Sequence, residues 1–109
     1  MWNLRADDRV LSLAIPPYRD TAAFGRILSA GCLVAFGDRQ EVDEARRLFS
    51  EFDNLMFLET ALDSIPWRDA FFTKILIPPH MSELAAALGA DLQRVLAPGG
   101  QIITTSENV

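Results

Sequence analysis

The sequence predicts an α/β protein: a doubly wound parallel sheet of five strands with helices on both faces, a three-layer Rossmann-like arrangement. Three observations carry that expectation. Five short apolar, β-favouring runs alternate with stretches of helical periodicity. Successive runs are separated by a dozen residues or more, too many for a hairpin and enough for a helical crossover. The fourth run, Lys74-Ile75-Leu76-Ile77, is nearly all apolar, as a strand buried on both faces is. Right-handed crossovers make the doubly wound layout the natural solution.

In order, Arg9-Val10-Leu11-Ser12-Leu13-Ala14 reads as the first strand. Asp20 is positioned to cap a helix reaching Ala30, with Ala23, Phe24, Ile27 and Leu28 on one face and Gly31 as its stop. Cys32-Leu33-Val34-Ala35-Phe36 forms the second strand and ends at Gly37-Asp38. A helix from about Gln40 to Phe52 buries Val42, Ala45, Leu48, Phe49 and Phe52. Leu55-Met56-Phe57-Leu58 is the third strand, followed by an irregular stretch with Pro66 and Trp67. After the fourth strand, Ser82 caps a helix on which Leu84, Leu88, Leu92, Val95 and Leu96 recur at helical spacing. Pro98-Gly99-Gly100 breaks it, and Gln101-Ile102-Ile103-Thr104-Thr105 is the fifth strand.

At 109 residues the chain is sized for one domain, 1–109, with a single core. Its net charge of −5 argues against a nucleic-acid-binding surface. No apolar run approaches the roughly 18 residues of a membrane span. Met1 to Asp8 lacks a basic head followed by an apolar stretch, so no signal peptide is expected. Cys32 is the sole cysteine; an intramolecular disulfide and a thiolate zinc site are excluded, and a reducing cytoplasm is the default compartment. Nine of the ten cations are arginine, a skew that follows genome composition more readily than chemistry. P-loop, zincin and nucleophile-elbow strings are all lacking.

Asp8-Arg9-Val10-Leu11 entering a strand, Asp38 closing the second, Ile65-Pro66-Trp67 after the third, and Arg94-Val95-Leu96-Ala97-Pro98-Gly99-Gly100 before the fifth resemble class I S-adenosylmethionine-dependent methyltransferases. The resemblance runs from about Leu4 to Ser106. It implies a sheet ordered 3-2-1-4-5, with the cofactor over the carboxyl ends of strands one, two and four, and Asp38 gripping the ribose hydroxyls. It also implies two further strands after the fifth, which this sequence does not reach.

The first loop, LAIPPYRD at residues 13–20, departs from that pattern. Where the family carries an acidic residue and three glycines, this chain has Ser12, then Ala14, Pro16 and Tyr18. Glycines there let the backbone approach the ligand and offer amide donors. Pro16 and Pro17 remove two donors and fix φ, while Ile15 and Pro16 are pushed to extended geometry by the prolines after them. The acidic adenine-side position aligns with Ala61, and Asp63 two residues on is its substitute only if the loop is reshaped. Thr73 stands where the family has an aspartate after phenylalanine. The usual cofactor pose is therefore not expected.

The echo ILIPPHMS puts a second proline pair after the fourth strand. Some amino-directed methyltransferases carry a polar residue, two prolines and an aromatic there; here Ile77 holds the polar position. His80 is read either as a general base or as a loop residue at a helix entry. With strands one and four adjacent, the two proline loops flank one crevice, closed by the chain's own side chains or narrowed to a small apolar pocket, with Tyr18 and His80 as rings at its sides.

Two functions stay open. One is a non-catalytic descendant of the methyltransferase fold, a dimerising or partner-binding module with no cofactor. The other is a working S-adenosylmethionine-dependent methyltransferase with an unusual loop, using Asp38 for the ribose and Tyr18 or His80 near the target. A homodimer through the bare fifth-strand edge is expected, with Glu107-Asn108-Val109 or the Trp2 segment as alternative covers.

Overall fold

The structure is a computed structural model that describes residues 3–59 and 64–104. Ala61, Asp63, Trp2 and Glu107-Asn108-Val109, to which the sequence assigned roles, lie outside the described residues. The chain runs β1 (Arg9–Ser12), α1 (Tyr18–Ile27), β2 (Cys32–Gly37), α2 (Arg39–Leu48), β3 (Leu55–Glu59), β4 (Phe72–Ile77), a 3-10 turn (Pro79–Met81), α3 (Ser82–Ala87), α4 (Gly89–Val95) and β5 (Leu96–Thr104). All neighbouring strands are parallel and the sheet order is β3-β2-β1-β4-β5. This is the doubly wound α/β fold and the strand order expected.

Alternation along the strands builds the two outer layers, since successive side chains leave opposite faces. Val10, Leu33, Ala35 and Leu76 meet Phe24, Leu28 and Val42 of α1 and α2. Leu11, Val34, Phe36, Ile75 and Ile77 meet Leu88, Leu92 and Val95 on the opposite face. Both sets are buried, which explains why β2 and β4 read as continuous apolar runs.

Several boundaries differ from expectation, each for a local reason. α1 starts at Tyr18 rather than after Asp20: Pro17 is the N-cap residue with φ −54°, and no side chain caps the end. Proline suits a helix entry because its missing N–H would be an orphan there. α2 stops at Leu48, and Phe52 leaves the helix to pack its ring against Gly25 of α1. Ser82 is not a cap; it is the first residue of α3, its N–H donating to Pro79 O across the 3-10 turn. The long helix expected after β4 is two short ones, parted at Leu88 (φ −97°, ψ 12°) just before Gly89, a poor helix former. β5 already begins at Leu96: Phe72 pairs with Leu96 and Lys74 with Gln101, so Ala97–Gly100 bulge out of the ladder instead of ending a helix.

At the amino ends of the strands, Asp8 is buried and tied to the Arg5 amide and the Thr73 hydroxyl at 2.8 Å each, with Lys74 Nζ 3.4 Å away. Arg9 donates to Phe71 O and lies over the Phe71 ring, with Arg68 also stacked on that ring. Trp67, Phe71 and Phe72 pack on one another as core and rim. No helix among the described residues is long and apolar enough to cross a membrane.

Candidate functional site

In an open α/β sheet, ligands sit outside the carboxyl ends of the strands, where the strand order reverses. Here that point lies between β1, β2 and β4, and the segments leaving it are Leu13–Pro17, Gly37-Asp38 and Pro78–Met81. β1 lies beside both others, with Ser12 opposite Ala35 on β2 and Leu76 on β4. The two proline loops therefore do leave adjacent strand ends.

The first loop closes onto its own chain. Leu13 N–H donates to Leu76 O at 3.1 Å, extending the β1–β4 ladder by one bond. The buried Ser12 hydroxyl donates to Ala14 O at 2.5 Å, so both weak cofactor candidates on this strand are spent on each other. Thr21, fully buried on α1, turns its hydroxyl back to Pro16 O at 2.8 Å, and its amide donates to Pro17 O. With two prolines lacking donors and these carbonyls already accepting, the loop presents little backbone polarity to a ligand.

Ile15 is the residue the sequence did not single out. A Cβ at Gly37 would lie 2.8 Å from Ile15 Cδ1 and 3.3 Å from Glu41 Cβ. The isoleucine thus covers the last residue of β2, directly beside Asp38, and is packed with the α1–α2 core cluster. It packs beside the residue to which the resemblance assigns the ribose, on the α1–α2 side of the sheet. Nothing in the spacing of apolar residues marks it, because it falls between the positions that matter for a glycine loop.

Asp38 is exposed at the end of β2 and works as the N-cap of α2. Its Oδ1 accepts the Glu41 amide at 2.8 Å, while Glu41 Oε1 accepts the Asp38 amide at 2.9 Å. This reciprocal capping box was readable in Asp38-x-x-Glu41. Tyr18 is 58% exposed; its hydroxyl donates to Glu44 on α2 at 2.8 Å and its ring edge meets Phe49. The Glu44 hydrogen bond, followed by partial desolvation, raises the phenol's pKa above its usual value. His80 stands exposed within the 3-10 turn between Pro79 and Met81. The structure thus gathers Ser12, Ala14, Ile15 and Asp38 around the β1 and β2 ends, and commits Tyr18 to α2. Among the described residues no group of His, Cys, Asp and Glu could hold a metal ion.

A second depression lies elsewhere, at the outer edge of β3. It has a volume of about 190 Å³ and is lined by residues that include Arg46, Phe49, Phe52, Leu55, Met56 and Phe57.

No family model and no curated protein matches the sequence. Solved structures do match in fold. The YcgJ protein of Bacillus subtilis superposes with a TM-score of 0.74 at 22% identity, over 94% of this chain and 45% of its own. A SAM-dependent methyltransferase from Aquifex aeolicus gives 0.72 at 18% identity, over 86% and 53%. A chain of the complex between the Haloferax volcanii Trm112 methyltransferase activator and a candidate methyltransferase gives 0.73 at 21%, over 94% and 46%. The chain has the Rossmann-like fold seen in class I S-adenosylmethionine-dependent methyltransferases, and it spans about half the length of these structures. At such identities the likeness is one of fold, and fold leaves function to the site.

Proposed function

We propose that this chain is a methyltransferase-fold module that does without S-adenosylmethionine and acts by binding a partner. The observation that carries this reading is Ile15 packed against Gly37, next to Asp38, the residue that the family resemblance would give to the ribose. The proline-bounded loop and the capping duty of Asp38 support it in the same direction. A nucleoside draws on free amides and carboxylate oxygens at a strand end, and here Asp38 Oδ1, the Asp38 amide and the carbonyls of Ala14, Pro16 and Pro17 are engaged within the chain. On the partner side, two sheet edges are available: β5, the edge to which the sequence assigns a homodimer, and β3. The Haloferax chain of the same fold is found in a complex with another protein, which gives partner binding a precedent on this scaffold. The cytoplasm is the compartment we assign, from the lone cysteine.

Thermal unfolding with S-adenosylmethionine or its demethylated product at millimolar concentration tests the cofactor half. A ligand at a hundred times its Kd stabilises a fold by about 2.7 kcal/mol, on the order of ten degrees in Tm for a domain of this size. The melting temperature is expected to stay where it is; a rise of that order overturns the reading.

The second reading, an active methyltransferase with a proline-bearing loop, is favoured by one observation. Asp38 stands exposed at the carboxyl end of β2, the position of the ribose ligand in the family. It requires loop 13–17 to move so that Ile15 leaves Gly37, with His80 or Tyr18 then beside the target. The same melting experiment separates the two.

A further inference from the structure

The partner-binding reading leaves open which surface receives the partner and what that partner is. Leu33 N–H donates to Asn54 O at 2.9 Å and Leu33 pairs with Leu55, which sets the phase of the β2–β3 ladder. In a parallel pair, alternate residues of a strand bond to the neighbour. The amides and carbonyls of Asn54, Met56 and Leu58 are therefore used by β2, and those of Leu55, Phe57 and Glu59 face the open edge. Phe57 O is held at that edge by the Arg46 guanidinium, which reaches over from α2 to 2.8 Å. The Arg46 guanidinium thus stands in for a neighbouring strand's donor at Phe57 O, a bond that a paired strand would replace.

That edge is also apolar. Met56 is 44% exposed, and the depression between α2 and β3 is floored by Phe49, Phe52 and Leu55. Leu48, next to Phe49, is 38% exposed. Glu59, at the end of β3, is exposed and places an anion on the same strand face as Phe57.

We infer that the β3 edge docks a second copy of this chain, which adds its own β3 antiparallel across a two-fold axis centred on Phe57. The outward residues decide the register. Phe57 faces the second copy's Phe57, and Leu55 faces the second copy's Glu59, each as a hydrogen-bonded pair. Met56 then meets the second copy's Leu58 on the other face. Phe57 O exchanges Arg46 for the second copy's Phe57 N–H, and the released guanidinium turns to the second copy's Glu59 on the α2 face.

The occupant follows from charge. The chain carries a net −5, yet this edge sets a cation, Arg46, and an anion, Glu59, around an apolar centre. A partner with the reversed order of the same pattern neutralises both, and a two-fold axis supplies one. On β5, by contrast, Gln101–Thr104 is neutral and none of its large apolar side chains is exposed. The inference rests on the partner-binding reading but not on the closed crevice.

Sedimentation equilibrium of the full chain over a concentration series tests it, with circular dichroism as a check that each variant is folded. Dimers are expected for the parent and for Thr104→Lys on β5. Met56→Lys and Arg46→Glu should each weaken self-association at least about tenfold. The double charge reversal, Arg46→Glu with Glu59→Arg, should restore it, a recovery that a folding defect would not give. A parent that stays monomeric into the millimolar range overturns the inference. So does a dimer broken by Thr104→Lys and untouched by Met56→Lys, or a folded double variant that fails to recover. A cofactor-induced rise in Tm in a chain that still dimerises through β3 would remove the closed-crevice reading and leave this one intact.

Discussion

A carboxylate that accepts the Glu41 amide while Glu41 returns the favour to the Asp38 amide is committed to starting a helix. This gives Asp38 a role that can be separated from ribose binding by one substitution. Asp38→Ala should lower stability by about 1 kcal/mol, whereas Asp38→Asn should cost only a few tenths, since asparagine caps as well as aspartate. Urea unfolding of the two variants measures both, and an Asn variant as unstable as the Ala one would mean that the charge matters rather than the cap. The family resemblance assigned Asp38 to the ribose and passed over the cap that the Asp38-x-x-Glu41 spacing carries; the seating of Ile15 left no such trace. The local string shows that the glycine positions are filled, but which side chain turns over Gly37 depends on the backbone path through Pro16 and Pro17. Thr21 sets that path from a full helical turn downstream, through Pro16 O. Tyr18 went to Glu44 for a related reason: it belongs to the first turn of α1, and the helix carries its ring towards α2.

At the scale of elements, the fold is held by a few cross-element ties that periodicity does not reveal. Asn54, just before β3, donates to Gly25 O at 3.0 Å and to Leu28 O at 2.9 Å, which also accepts the Gly31 amide, and so ties the end of α1 to the start of β3. The turn from α1 into β2 presses against the chain entering β1: a Cβ at Gly31 would lie 2.0 Å from Asp8 O. Gly31→Ala should therefore destabilise by about 3 kcal/mol, the upper end for overpacking, because the obstacle is backbone and cannot swing away. Thermal and urea unfolding check it; a loss below about 0.5 kcal/mol, the range of surface changes, would refute the close contact. Arg94 does similar work between α4 and the stretch before β4. It donates to Ile65 O and Trp67 O at 2.7 Å and to Asp69 Oδ1 at 2.8 Å, while Asp91 accepts the Ile65 amide at 2.5 Å. The Ile65 amide, with Arg94 behind it, holds the Asp91 carboxyl below the usual carboxylate range. In the sequence, Arg94 was part of a recognisable string; its hydrogen bonds to Ile65 O and Trp67 O link that string to another stretch of the resemblance.

Across the whole molecule, Asp8 couples stability to pH. Burial alone would push its carboxyl up. The Arg5 amide, the Thr73 hydroxyl and the Lys74 ammonium outweigh burial and hold it below its ordinary value of 3.8. The folded state thus binds the Asp8 proton less tightly than the unfolded chain does. Its contribution is full above the unfolded value and is lost as pH falls through the folded one. Urea unfolding midpoints measured from pH 6 downwards should therefore fall below about pH 4, and Asp8→Asn should flatten that descent; an unchanged slope in the variant would mean the loss comes from other carboxylates. The class of fold and the direction of every strand were legible in the residues alone, because a parallel sheet buried on both faces imposes long apolar runs and helical crossovers that leave a periodic trace. Helix ends were less legible: a proline entry, a turn at Leu88 and the bulge at Ala97–Gly100 depend on contacts from elsewhere in the chain. What only the tertiary structure decided was where the Ile15 and Arg46 side chains sit. Ile15 over Gly37 and Arg46 on Phe57 O are meetings of residues 22 and 11 positions apart. Local propensity does not encode such meetings; the packing of helices on the sheet creates them.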